Sequence, residues 1–186
     1  MIRLLRGASL FGAFAADDLA ACARRLRETR FVKGELVFSR GDPGASLYVV
    51  AQGQVRLAVS TAEGRELSFE IVGPGGMFGE IALLDGRPRS AEATALAPTL
   101  AYLLAREDFR RLMRERPGMT EAVIDFLCAR LRRVSARLED VALHPLVVRL
   151  ARFLVVAVGE RRAPAGQRVP VELRFSQSEL ALLLGA

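Results

Sequence analysis

Phe78-Gly79-Glu80-Ile81-Ala82-Leu83-Leu84-Asp85-Gly86-Arg87-Pro88-Arg89-Ser90-Ala91 is the densest run of chemistry in the chain. A glycine precedes a short apolar helical turn, and an arginine beside a small hydroxyl stands ten residues after that glycine. Glycine lets a backbone approach a ligand closely, and the N–H groups of Glu80, Ile81 and Ala82 at the start of a helical turn suit an anion. Arg89 can fork onto phosphate oxygens while Ser90 adds a hydroxyl donor. Glu80 only accepts hydrogen bonds at neutral pH, so it suits sugar hydroxyls rather than the phosphate. The stretch therefore asks for an anion with a vicinal polyol edge. Arg87, just before Pro88, reads as solvated surface.

Around this stretch the chain is written in short apolar runs. Phe31-Val32, Leu36–Phe38, Leu47–Ala51, Val55–Val59, Leu67–Val72 and Leu100–Leu104 read as strands. Lys33-Gly34, Gly41-Asp42-Pro43-Gly44, Gln52-Gly53, Glu63-Gly64 and Gly73-Pro74-Gly75-Gly76 separate them, and glycine and proline are turn residues for steric reasons. Many short strands at this spacing predict a compact antiparallel barrel or sandwich, a β-roll or jelly roll. Upstream, residues 9–30 read as helix: Leu19, Cys22, Ala23 and Leu26 recur at helical steps behind the acidic pair Asp17-Asp18.

Downstream the period becomes helical. Glu107–Glu115 predicts a short helix stopped by Pro117. Ile124, Leu127, Leu131, Val134, Leu138 and Val141 then recur at steps of 3, 4, 3, 4 and 3, with arginines and acids off the seam. So strict a heptad favours pairing with a second copy, as a parallel two-fold dimer, over packing within one domain. Pro145 opens a further helix with Leu146, Leu150, Phe153 and Leu154 on one face. Val169–Phe175 alternates as an edge strand around Pro170. Ser176 caps a last helix to Leu184, with Glu179 completing a capping box.

Composition removes several classes of function. At 186 residues the chain makes one domain, or two small ones sharing a hinge. Its net charge of +6 is split evenly, +3 in residues 1–117 and +3 in residues 118–186, so no segment stands out as a basic face. A hydrophobic fraction of 51% builds a real core. No apolar run reaches the ~18–20 residues of a membrane span, and the N-terminus lacks a secretory pattern, so a cytoplasmic protein without membrane contact is expected. Two cysteines, Cys22 and Cys128, make no disulfide framework or cysteine-held cluster, and the single histidine, His144, makes no metal set. No nucleophile–base pair stands out, so no enzyme and no metal are expected. Cys128, beside Leu127, reads as buried packing.

The string from Phe78 to Ala91 resembles the phosphate-binding cassette of cyclic-nucleotide-binding domains. Phe31–Phe38, Gly41–Gly44, Leu47-Tyr48, Gly53 and Val55 match its surroundings. With the long helix and the C-terminal segment after it, residues 9–185 are similar to the cyclic-AMP receptor protein / fumarate–nitrate regulator superfamily of bacterial transcription regulators. The resemblance implies an α+β chain in three parts. Residues 1–117 would be a cyclic-nucleotide-binding β-roll (a double-stranded β-helix or jelly roll) with flanking helices. Residues 118–143 would be the coiled-coil dimerisation helix, and residues 144–186 a winged helix-turn-helix.

It further implies that Glu80 bonds the ribose 2′-hydroxyl, and that Arg89 and Ser90 neutralise the cyclic phosphate with backbone help at Gly79, Ile81 and Ala82. The members that respond to cyclic AMP receive the adenine on a Thr–Ser pair of the long helix. Here Val134-Ser135 stands there, and a valine makes no hydrogen bond. The N-terminal cysteine cluster of the iron–sulfur members is missing. In the last segment, Ser176 and Gln177 open the helix that contacts the DNA backbone, and the chain stops at Ala186 before the recognition helix that reads bases in the major groove. The implied ligand is a cyclic nucleotide, cyclic AMP first, acting as allosteric effector with no other cofactor. The implied partners are a second copy, double-stranded DNA for the full-length form, and RNA polymerase. Two alternatives stand beside this: a vestigial nucleotide site serving another effector, and a cyclic-nucleotide-binding module that regulates a protein partner without touching DNA.

Overall fold

The computed structural model describes residues 1–60, 66–158 and 177–184, and the chain divides into two compact units, Met1–Ala129 and Arg130–Ala186. The first opens with α1 (Ile2–Gly7) and α2 (Ala16–Ala23). Eight strands come next: β1 (Arg27–Phe31), β2 (Leu36–Phe38), β3 (Ser46–Gln52), β4 (Val55–Ser60), β5 (Glu66–Val72), β6 (Met77–Phe78), β7 (Glu92–Ala95) and β8 (Thr99–Ala105). Helix α3 (Glu80–Asp85) interrupts them after β6, and α4 (Arg106–Glu115) succeeds β8. The strands form two antiparallel four-stranded sheets, ordered β1-β8-β3-β6 and β2-β7-β4-β5. This is the β-roll that the punctuated sequence predicts.

Period-2 alternation explains how one strand serves two cores. On β3, Leu47 and Val49 pack with Leu104 against Leu5, Leu19, Phe109, Met119 and Phe126 of the helical layer. Val50 and Tyr48 of the same strand belong with Val55, Leu57, Val72, Phe78 and Ala93 between the sheets. The registers Leu47↔Leu104 and Tyr48↔Leu103 on β8, and Tyr48↔Phe78 on β6, fix this assignment.

The N-terminal expectation needs correction. The helix expected over residues 9–30 is confined to Ala16–Ala23, and Arg27–Phe31 is strand β1, paired with Thr99–Leu103. Residues 10–14 form turns whose Leu10, Phe11 and Phe14 are buried, the two rings meeting edge-on at 5.4 Å. Apolar residues at helical steps here report burial against one core, not one continuous helix. Strands β6 and β7 carry little signal in sequence: one has two residues, and Glu-Ala-Thr-Ala has low β-propensity.

Helix α5 (Gly118–Leu143) begins behind Pro117 and ends before Pro145. Met119, Ala122, Val123 and Phe126 bury its first turns in the helical layer. In the second unit lie α6 (Leu146–Val158) and α7 (Gln177–Leu184), where an Arg149 guanidinium N–H donates to the Leu184 carbonyl. The expected Glu63-Gly64 turn, the edge strand at 169–175, the Ser176 cap and its capping box lie outside the described residues. Among the described residues no helix is long and apolar enough to cross a membrane.

Candidate functional site

Strand β6 delivers the chain to Gly79, whose backbone is left-handed at φ 81° and ψ 8°. Only glycine takes that conformation cheaply, and here a Cβ would also meet Arg89 Nη1 at 2.6 Å and the Ser46 carbonyl at 3.1 Å. Helix α3 starts at the next residue, so the N–H groups of Glu80, Ile81 and Ala82 have no intrahelical acceptor. Gly86, left-handed at φ 75°, ends the helix, its N–H donating to the Ala82 carbonyl at 3.0 Å.

Arg89 is the centre of the site. It is only 5% exposed. Its Nη1 donates to the carbonyls of Ser46 (2.6 Å) and Gly79 (3.0 Å), and its Nη2 donates to the Ser46 hydroxyl (3.0 Å). The guanidinium lies over the Phe38 ring at 4.1 Å and within 5.9 Å of the Tyr48 ring. Tyr48 in turn stacks on Phe78 at 4.9 Å. The backbone of Arg89 is fixed by its N–H to the Asp42 carbonyl and by the Gly41 N–H to its own carbonyl, both 2.9 Å. Its Nε is buried and has no hydrogen-bond partner. Burial pushes the guanidinium below its ordinary range, while Tyr48, Asp42 and Glu80 pull it back up. Glu80, 4% exposed, is the buried carboxylate of the site.

The structure thus brings Gly79, Glu80, Ala82 and Arg89 together, with Ile81 and Ser90 exposed at their margin. Arg87 is exposed, as the sequence predicts. Val134 and Ser135 are exposed on α5 within the second unit, and Gln177 is exposed on α7. Cys128 is exposed, not buried as expected: it lies beside exposed Leu127, off the Ala122, Val123 and Phe126 face. All six seam residues of α5 are exposed, from 45% at Leu127 to 67% at Leu131 and Leu138. Among the described residues no cluster of His, Cys, Asp or Glu could hold a metal ion.

Two contributors escape sequence reasoning. Ser46 holds both Nη atoms of Arg89 from 43 residues away, with no local signal to announce it. Arg106, first residue of α4, donates from Nε to the Leu83 carbonyl at 3.0 Å and from its backbone to the Ala45 carbonyl at 2.7 Å. Its guanidinium covers Gly86, so this one residue ties α3 to α4 by its side chain and holds the residue before β3 by its backbone N–H. Gly86 in the motif is the one hint of this contact.

The Cyclic nucleotide-binding domain family matches residues 28–116. Over the whole chain, the CRP-like cAMP-activated global transcriptional regulator of Mycobacterium tuberculosis H37Rv is 31% identical, and the match spans 83% of that protein. The chain belongs to the Crp-like family of transcription regulators. The crystal structure of Thermus thermophilus Catabolite Activator Protein superposes with a TM-score of 0.65 at 30% identity, over 95% of this chain and 80% of that one. The regulatory domain of Toxoplasma gondii PKA, crystallised with cAMP, superposes at TM-score 0.57 and 31% identity over 60% of this chain and 42% of that one.

The residues present suit the ligand class of a Crp-like sensor domain. A buried guanidinium with an unpartnered Nε, a glycine where a Cβ would fill the approach, and a buried carboxylate make a donor and acceptor set for an anion carrying hydroxyls.

Proposed function

We propose that this Crp-like chain is an effector-responsive, DNA-binding transcription regulator whose β-roll takes a cyclic nucleotide, cyclic AMP first. The observation that carries the reading is Arg89: a cation buried to 5% exposure at a glycine turn, beside Glu80. Burying a charge costs several kcal/mol unless fixed partners compensate, and the Ser46 and Gly79 carbonyls supply that compensation here. In this reading Arg89 and Ser90 bind the phosphate, with the N–H groups of Glu80, Ile81 and Ala82 beside them. Glu80 accepts from the ribose. Val134-Ser135 would meet the base, with Ser135 supplying the hydrogen bond.

A bound cyclic nucleotide would supply a fixed negative charge and one free ribose hydroxyl, the 2′. Residues 1–117 act as sensor, 118–143 as the helix of a homodimer, and 144–186 as the DNA-binding part, with Ser176 and Gln177 as its contacts to the DNA backbone. Switching is a population shift: ligand must bind the DNA-competent dimer more tightly than the alternative, and the ratio of affinities bounds the response. Duplex DNA and RNA polymerase are the partners, and the cytoplasm the compartment.

Calorimetric titration with cyclic AMP and cyclic GMP, against Arg89→Ala, tests the site. Binding that vanishes in the variant supports it. Equal heats with and without Arg89 would falsify the phosphate assignment. A second reading, a cyclic-nucleotide module that controls a protein partner, draws on the likeness to the kinase regulatory domain. The likeness to transcription regulators over the whole chain favours the first.

A further inference from the structure

Helices α3 and α4 flank an open groove of about 330 Å³ lined by Leu83, Leu84, Phe109, Arg110, Met113 and Arg114. Its floor is apolar: Leu83 and Phe109 are buried, while Leu84 and Met113 are half-buried at its walls. A second hollow of about 330 Å³ runs beside it between Glu107, Arg110, Arg111 and Arg114.

The cations of this region divide sharply. Arg25 pairs with Asp108 and Glu115, Arg116 pairs with Asp18, and Arg106 bonds the Leu83 carbonyl. Arg110, Arg111 and Arg114 line the hollows, and among the described residues no side-chain ion pair or hydrogen bond reaches them. Arg110 and Arg114 stand one turn apart on the same helical face, over the apolar hollow.

We propose that the α3–α4 groove is a docking surface for an acidic amphipathic helix of a protein partner. An apolar anchor would enter between Leu84 and Met113, where Met113 adapts its shape to the guest. Carboxylates on the flanks of that helix would meet Arg110 and Arg114, and Arg111 would extend the positive rim. Three arginines outweigh the single Glu107 of the rim and select against a basic or neutral helix, and the apolar floor selects against a purely polar anion. This surface uses none of the groups that bind the nucleotide, so the proposal stands whether or not the β-roll takes a ligand.

The test is selection of a random peptide library displayed on phage against the full chain, with Arg110→Glu/Arg114→Glu as the counter-target. Neither arginine holds another part of the fold, so the variant keeps its structure, and circular dichroism checks it. The expected consensus places Asp or Glu around a Leu, Ile or Phe. The selected peptides should lose about tenfold or more in affinity for the double variant and weaken as salt rises. Failure to enrich, a basic or uncharged consensus, or equal binding to both targets overturns the proposal. So does a change in sedimentation on charge reversal, which would assign the face to a second copy. Loss of duplex DNA binding in the variant, without peptide enrichment, would assign it to nucleic acid instead.

Discussion

The cassette around Arg89 and the stripe along α5 treat their dominant chemistry in opposite ways. Arg89 is a cation withdrawn from water, with carbonyls of Ser46 and Gly79 and the face of Phe38 closing around it. The α5 stripe is apolar and turned outward: Leu131, Val134 and Leu138 are 57–67% exposed. The first is held in place within one chain, with only its Nε left without a partner, and suits a small anion. The second is unsatisfied within one chain, which is how an interface looks when one side of it is viewed alone.

The largest effect should come from the stripe. Burying a leucine is worth about 1.5–3 kcal/mol, and Leu131→Glu with Leu138→Glu removes two such contributions from each copy while introducing charge. Sedimentation should find dimer for the native chain and monomer for the variant. Because both residues are exposed, circular dichroism should be unchanged. A variant still dimeric would mean that the stripe faces something other than a second copy.

Next in size is the cassette. Arg89→Ala should cost about 100-fold or more in cyclic-nucleotide affinity, the scale of breaking a buried, hydrogen-bonded charge pair. The same change should leave the oligomeric state alone, and Leu131→Glu/Leu138→Glu should leave Arg89 in place. Reciprocal failure of both variants in both assays would erase the distinction between the two regions.

A smaller effect separates support from contact. Gly86 is left-handed, and a Cβ there would strike the Arg106 guanidinium. Gly86→Ala should therefore cost about 1–2 kcal/mol from backbone strain. It should also release α3 from α4, lowering nucleotide affinity about tenfold, as Arg106→Gln should by losing the bond to Leu83. Because both changes break one contact, the double variant should bind about as weakly as either single. Additive losses in calorimetry would show that the two residues act separately.

The parts legible in sequence are those whose signal is local and periodic. Glycine-punctuated strands announce a β-roll. The heptad from Ile124 to Val141 announces one helix with an apolar stripe, because spacing alone decides which side chains share a face. Gly79, Glu80 and Arg89 are legible because residue type and separation already constrain their chemistry. The remainder depends on tertiary partners. Ser46 reaches Arg89 only after β3 and β6 pair through Tyr48 and Phe78. Residues 27–31 are strand because β8 offers them an edge, which overrides the helical spacing that ends at Leu26. Cys128 misleads because adjacency to a seam leucine says nothing about which side of the helix faces the core.

The two cysteines carry the contrast between buried and exposed chemistry to its smallest measurable consequence. Cys22 is fully buried on α2, and burial pushes its thiol from 9.0 up to about 12, with Asp18 adding to the rise and Arg25 and Arg116 opposing it. A folded-state pKa above the unfolded one means that the native chain holds a proton which the unfolded chain releases. Its contribution to stability is therefore complete below pH 9 and is lost as pH climbs through the folded value of about 12. Denaturant titrations across that window should show native stability falling more steeply than that of Cys22→Ala, which has no thiol to ionise. Matching slopes would sink the assignment. At about pH 8, iodoacetamide should modify exposed Cys128 and spare Cys22 until the protein unfolds, since only an accessible thiol can present a thiolate to the reagent. Alkylation of Cys22 at the rate of Cys128 would mean that the helical layer opens on its own.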